Sequence, residues 1–235
     1  MALLQTMPKI VIPAAELLPF GQTWTANGGS LSRTPPNSSS QLGNLFDAKV
    51  GDALATMLGN IPVVVPKMTN LIPSTADCVE VGPCRIVGGI RPQNFDVGYR
   101  PDGVRFVYDS KTLNDEKSVQ KNYQNMINDL GTEATTVHTR FPYAIVAFIV
   151  VVPSPCLQSP QKEALTDTLD RLSQRESPLD SSHKAEVISL VVWDPTTGRI
   201  DPNWPKSKSL LRIESFSAQV EKNYVGRYKG LPPHN

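Results

Sequence analysis

Residues Phe95 to Lys111 read FDVGYRPDGVRFVYDSK. At the centre, Pro101-Asp102-Gly103 is a turn signal. Proline pre-sets φ, aspartate can hydrogen-bond its own backbone, and glycine takes positive φ without penalty. A hairpin turning at Asp102-Gly103 pairs Tyr99 with Phe106, Val97 with Tyr108 and Phe95 with Ser110 on one largely apolar face. The other face carries Arg100 with Arg105, Gly98 with Val107 and Asp96 with Asp109, and Lys111 lies one step further along it. The alternation of period two holds on both strands, which fixes the register. A rival register turns at Arg105-Phe106 and pairs Asp102 with Asp109, but it needs a tight turn without glycine or asparagine.

Directly opposed residues in an antiparallel pair have Cβ atoms about 4.5–5.5 Å apart, so the first register makes Asp96 and Asp109 meet. Asp102, at the tip, then lies roughly 20 Å from Asp109 along the strand. Two carboxylates on one sheet face repel each other unless a cation lies between them. Oxygen donors of this kind suit Mg2+, with Mn2+ as the alternative. A lysine alongside can stabilise charge on a phosphate or activate a water. These are the parts for metal-assisted phosphodiester hydrolysis.

Around the hairpin, Leu42, Phe46, Val50, Ala53, Leu54 and Met57 recur at helical spacing over Gln41 to Leu58, with Gly59 placed to end the helix. Ile61 to Val65 and Arg85 to Ile90 read as short strands. Val119, Tyr123, Met126, Ile127, Leu130 and Ala134 form a second helical stripe, capped at Thr112 or Asn114. Ala144 to Val152 (AIVAFIVVV) and Glu186 to Trp193 (EVISLVVW) are apolar on both faces, as central buried strands are. A helix from Ser159-Pro160, a short strand over Ser209 to Ile213 and a helix over Ser217 to Tyr228 complete the chain. One short helix near Ala14 to Leu18 precedes Gly21 to Ser40 (GQTWTANGGSLSRTPPNSSS), which reads as a loop or arm. The expectation is an α/β fold with a mixed sheet in a single 235-residue domain.

The composition narrows the function classes. The apolar fraction of 40% is that of a folded chain. The net charge of +1 gives no global basic field, so any anionic partner must be held by a local patch. Three cysteines without tight pairs, Cys78, Cys84 and Cys156, fit a reduced intracellular chain. Three histidines leave little for a zinc site. The longest apolar run falls short of the roughly 20 residues of a membrane span. Without a secretory signal pattern either, the expected location is cytoplasmic. No nucleophile elbow, P-loop or dinucleotide fingerprint is present.

An Asp, a short hairpin and then Asp-Ser-Lys on an apolar strand resembles the core of the PD-(D/E)xK nuclease superfamily, most of all its type II restriction endonucleases. That core runs helix, three-strand meander, helix, strand, and the elements read over residues 41–152 follow this order. The resemblance implies a restriction-endonuclease-like fold, with 1–40 an N-terminal arm, 41–152 the catalytic core and 153–235 a helix-strand-helix extension. It implies a Mg2+-dependent DNA endonuclease, commonly a homodimer on double-stranded DNA. Asp96, Asp109 and Lys111 would be catalytic, with Asp96 and Asp109 on the metal. The literal Pro101-Asp102 is a decoy by the pairing argument. In this family the first helix often supplies a further acid, usually glutamate. Asp47, at the edge of the apolar stripe, is favoured here over Asp52, on the far side. Gln120 and Tyr123 resemble the QxxxY motif of RecB-type nucleases with the spacing off by one. Lys117, Lys121, Arg212, Lys222 and Arg227 are candidate DNA contacts, and His138 could touch a phosphate; for each, the alternative is an ordinary surface residue. A repair or recombination nuclease such as a Holliday-junction resolvase, and a catalytically silent DNA-binding protein of the same fold, are the other functions compatible with these residues.

Overall fold

A computed structural model describes residues 3–33, 37–67 and 69–234. The side chain of Gln120 and residues 34–36 of the expected arm lie outside the described residues. Among the described residues five α-helices, α1 (Ala14–Ala26), α2 (Ser38–Met57), α3 (Val119–His138), α4 (Ser159–Leu172) and α5 (Ile213–Tyr228), accompany six strands. The strands are β1 (Val63–Val64), β2 (Val79–Val87), β3 (Pro92–Tyr99), β4 (Phe106–Thr112), β5 (Ile145–Pro153) and β6 (Val187–Trp193). They form one sheet in the order β1-β2-β3-β4-β5-β6. β2, β3 and β4 are an antiparallel meander, whereas β1 pairs parallel to β2, and β4, β5 and β6 pair parallel to one another. The chain is therefore α/β with a mixed sheet flanked by helices. Antiparallel neighbours need only a turn between them; each parallel neighbour needs a crossover, and α3 and α4 supply those to β5 and β6.

β5 and β6 are buried along their whole length, and their predominantly apolar, β-branched-rich runs suit strands covered on both faces. Helix α2 lies on one face: a Cβ on Gly43 would meet Ser110 Oγ at 2.9 Å, and one on Gly51 would meet Val81 at 2.2 Å. The two glycines thus let helix and sheet approach closely. Helix α5 shares that face, with Phe216 edge-on to Tyr108. Helix α3 covers the opposite face, where Glu133 reaches Lys111, and packs beside α4 through Tyr123 and Thr168.

The hairpin register is Val97 with Tyr108, Gly98 with Val107 and Tyr99 with Phe106, as the turn residues dictate. Gly103 sits at φ +124°, a conformation that suits glycine, and Arg105 N–H closes the loop on Tyr99 O. Asp102 at the tip pairs with Arg105, which also reaches Pro232 O in the C-terminal segment.

Several boundaries differ from the sequence expectations. Helix α1 continues through Gly21 to Ala26, taking residues read as arm. This segment is docked: within α1 Trp24 Nε1–H donates to Asn114 O, and beyond it Ser30 bridges Asp115. The expected arm over 1–40 is thus largely packed structure, because Trp24 and Leu31 carry enough apolar surface to anchor it. Prolines confine the Ile61–Val65 strand to two residues. The Arg85–Ile90 strand starts earlier, at Val79, and contains a register shift between Val81 and Cys84. Helix α3 begins after Ser118 rather than at Thr112 or Asn114. No strand forms over Ser209–Ile213; these residues turn into α5, which starts at Ile213 rather than Ser217.

Candidate active site at the fork of β3 and β4

Pairing between β3 and β4 stops at Val97 and Tyr108, and the strands diverge beyond it. Asp96 is the first residue of β3 past the last pair. Its carboxyl fills the gap, Oδ2 accepting from Ser110 N–H at 2.9 Å and Ser110 Oγ–H at 3.1 Å. A side chain here replaces the partner strand that Ser110 would otherwise use. The Asp109 carboxyl lines the same cleft and lies close enough to Asp96 to raise its pKa. The expected meeting of the two aspartates thus occurs, in a fork rather than on a continuous ribbon.

On one side of the fork, α2 brings in Asp47. It is 5% exposed, and Oδ1 has no hydrogen-bond partner although buried. On the other side, Lys111 Nζ donates to Asp109 Oδ2 at 2.5 Å and to Glu133 Oε1 of α3 at 2.8 Å. A cleft of about 220 Å³ opens between α2 and the fork, lined by Ser39, Ser40, Gly43, Asn44, Asp47, Asp96, Asp109, Ser110 and Thr112. It lies at the carboxyl end of β4, where open α/β sheets generally bind their ligands.

The electrostatics follow from burying acids together. Desolvation, and then the neighbouring Asp96, push Asp47 up to about 8 from 3.8. Asp96 rises to about 8 for the same reason, reinforced by the adjacent Asp109. Burial raises Asp109 as well, against the pull of Lys111. Lys111 moves the other way from most buried amines: Asp109 and Glu133 hold its ammonium above the usual lysine range despite its desolvation. Near neutral pH without a bound cation, the Asp47–Asp96 pair therefore retains protons.

Among the described residues, no three His, Cys, Asp or Glu side chains converge as a ready-made cation cage. The donor set nevertheless suits a hard cation. It consists of oxygens, one buried carboxylate oxygen is left without a partner, and the raised pKa values mark carboxyls that a nearby cation would help to ionise. Mg2+ keeps several waters and commonly takes only one or two carboxylates from a protein.

Of the residues singled out from sequence, the fold brings together Asp47, Asp96, Asp109 and Lys111. Asp52 is exposed on the far side of α2, away from the cleft. Lys117 and Lys121 are exposed at the start of α3, on the segment leaving the cleft through Thr112. Arg212 and Arg227 are not free phosphate contacts. Arg212 forks onto Glu214 and donates to Pro202 O and Pro205 O. Arg227 is buried against Glu186, Tyr143 O and Ala144 O. Lys222 is exposed, 3.6 Å from the equally exposed Glu176. His138 is buried with Nε2 on Glu186 and Nδ1 on Ser182 O, so it cannot touch a phosphate from there. Sequence reasoning missed Ser110 and Glu133. The signal for Glu133 was present, since it falls within the apolar stripe of Met126, Leu130, Ala134 and Val137, where a carboxylate needs a reason.

Compared with protein-family models, curated proteins and solved structures, the chain matches none of them. Among the described residues no helix is long and apolar enough to cross a membrane.

Proposed function

We propose that the chain is a Mg2+-dependent DNA endonuclease of the PD-(D/E)xK kind, with a restriction-endonuclease-like core from α2 through β5. The observation that carries this reading is the juxtaposition of Asp96 and Asp109 in one cleft at a strand fork, with Lys111 paired to Asp109. The order α2, β2-β3-β4, α3, β5 supports it, being that of the family core.

Asp96 and Asp109 would hold the metal, with Asp47 Oδ1 the further oxygen within the same cleft. A bound Mg2+ supplies charge neutralisation at the scissile phosphate and acidifies a water for in-line attack. The chain's own residues do the rest. Ser110 fixes the Asp96 carboxyl through two donors, so that ligand does not need to be ordered when the cation arrives. Lys111, held as an ammonium by its carboxylate neighbours, donates charge and hydrogen bonds to the phosphate or the nucleophile; it does not remove a proton. Lys117 and Lys121, exposed around the start of α3, would contact the flanking DNA backbone. The substrate would be double-stranded DNA, and a homodimer would match the two-fold symmetry of a palindromic site.

The test is incubation with plasmid DNA and with four-way junctions, in Mg2+ and in EDTA. Discrete Mg2+-dependent fragments are expected, lost in Asp109→Ala while folding is retained. Junction-selective nicking would identify a resolvase instead. DNA binding without any cleavage, or cleavage that survives Asp109→Ala, would refute the assignment.

A further inference from the structure

We propose that Glu133 is a positioning residue, the buried counter-ion on α3 that fixes the direction of the Lys111 ammonium beside Asp109. The inference rests on the reading of Asp96 and Asp109 as metal ligands, and adds to it a role for α3.

Lys111 Nζ has two carboxylate partners, Asp109 Oδ2 and Glu133 Oε1. Asp109 gives Oδ2 to the ammonium and retains a second oxygen for a cation. Glu133, 3% exposed and reached from a different element, holds the amine from the other side. It is itself anchored: Gln93 Nε2–H, near the start of β3, donates to the same Oε1 at 3.0 Å. Its other oxygen, Oε2, is buried without a partner. An apolar stripe tolerates such a carboxylate only if the charge it faces is worth the desolvation, and Lys111 is that charge. Without Glu133 the amine has one anchor instead of two, and its direction is no longer fixed. The long lysine chain then sacrifices rotamer entropy in every productive complex.

The test compares Glu133→Gln and Glu133→Leu with the wild type and with Asp109→Asn, following plasmid cleavage and, separately, Mn2+ binding by calorimetry at one pH. Glu133→Gln retains an acceptor for Lys111 and Gln93 but lacks the charge; Glu133→Leu retains neither. Residues that orient a functional group through one hydrogen bond typically alter activity about 10–100-fold, so kcat should fall about 10-fold in Glu133→Gln and about 100-fold in Glu133→Leu. The KM for DNA and the Mn2+ affinity should each stay within about threefold, because Glu133 touches neither ligand. Wild-type kcat in both variants, with Asp109→Asn inactive, would overturn this inference alone. Mn2+ affinity weakened more than about tenfold in Glu133→Gln would overturn it by making Glu133 a ligand. A wild type that never cleaves would overturn the nuclease reading and this role together. Should Glu133→Leu fail to fold, the Gln variant decides.

Discussion

Replacing Asp47 by asparagine should make the metal-free protein more stable at neutral pH. The side chain is almost fully buried, and its carboxyl titrates near 8 in the fold against 3.8 as the ordinary value. A group whose folded pKa is raised contributes its stability below the unfolded pKa and loses it as pH rises through the folded one. For Asp47 that window runs from about 4 to about 8. At about 1.36 kcal/mol per pH unit, the interval from 3.8 to 7 caps the loss at about 4 kcal/mol. Asp96 shares the strain, so an isosteric amide that only relieves Asp47 should recover about 1–3 kcal/mol. The assay is urea unfolding in EDTA at pH 4, 6 and 8. The variant should match the wild type at pH 4 and lie above it at pH 8. In Mn2+ the order should reverse, because binding stabilises only the protein that can take the ion. Wild-type Mn2+ affinity should itself rise toward pH 8, as the carboxyls surrender protons to bind it. If Asp47→Asn is less stable at pH 8 in EDTA, or differs from the wild type equally at every pH, the buried acid is ionised and paired, and the argument for a missing cation fails.

Two further substitutions separate site from scaffold. Asp102→Asn breaks the pair with Arg105 at the hairpin tip, but Arg105 keeps Pro232 O and the Tyr228 ring, so stability should fall by no more than about 1 kcal/mol and cleavage should be unchanged; loss of cleavage would restore Pro101-Asp102 as the functional motif. Arg227→Met removes one of the arginines on the buried Glu186 and should lower the urea midpoint by the equivalent of about 2–4 kcal/mol while leaving DNA affinity intact, whereas weakened DNA binding at unchanged stability would make Arg227 a phosphate contact after all.

The hairpin was legible because its determinants are local. A Pro-Asp-Gly turn and two alternating strands set a register within seventeen residues, and that register points Asp96 toward Asp109 across the fork where pairing ends. The buried strands β5 and β6 were legible for a similar reason, since a run such as AIVAFIVVV has few other places to go. The misread parts depend on contacts distant in sequence. Nothing in GQTWTANGGS indicates that Trp24 will find the carbonyl of Asn114, ninety residues on, and so draw a polar segment onto the domain. Arg227 looks like any surface arginine of a C-terminal helix until Glu186, on another element, claims it.

The same distinction explains why the site was only half visible. Asp96, Asp109 and Lys111 lie on one ribbon, and the strand period relates them. Asp47 and Glu133 come from helices on opposite faces of the sheet, and only their angular position within an apolar stripe could connect them to it. Asp47 was noticed at a stripe's edge. Glu133, inside a stripe, was overlooked, although a carboxylate within the apolar face of a helix is the costlier placement and the stronger sign of a partner. An acid held out of water needs a cation or a proton, and at this fork Lys111 is one cation for four acids, Asp47 and Glu133 from helices and Asp96 and Asp109 from strands. The shortfall of positive charge at the fork is the physical reason to expect that a divalent ion belongs there.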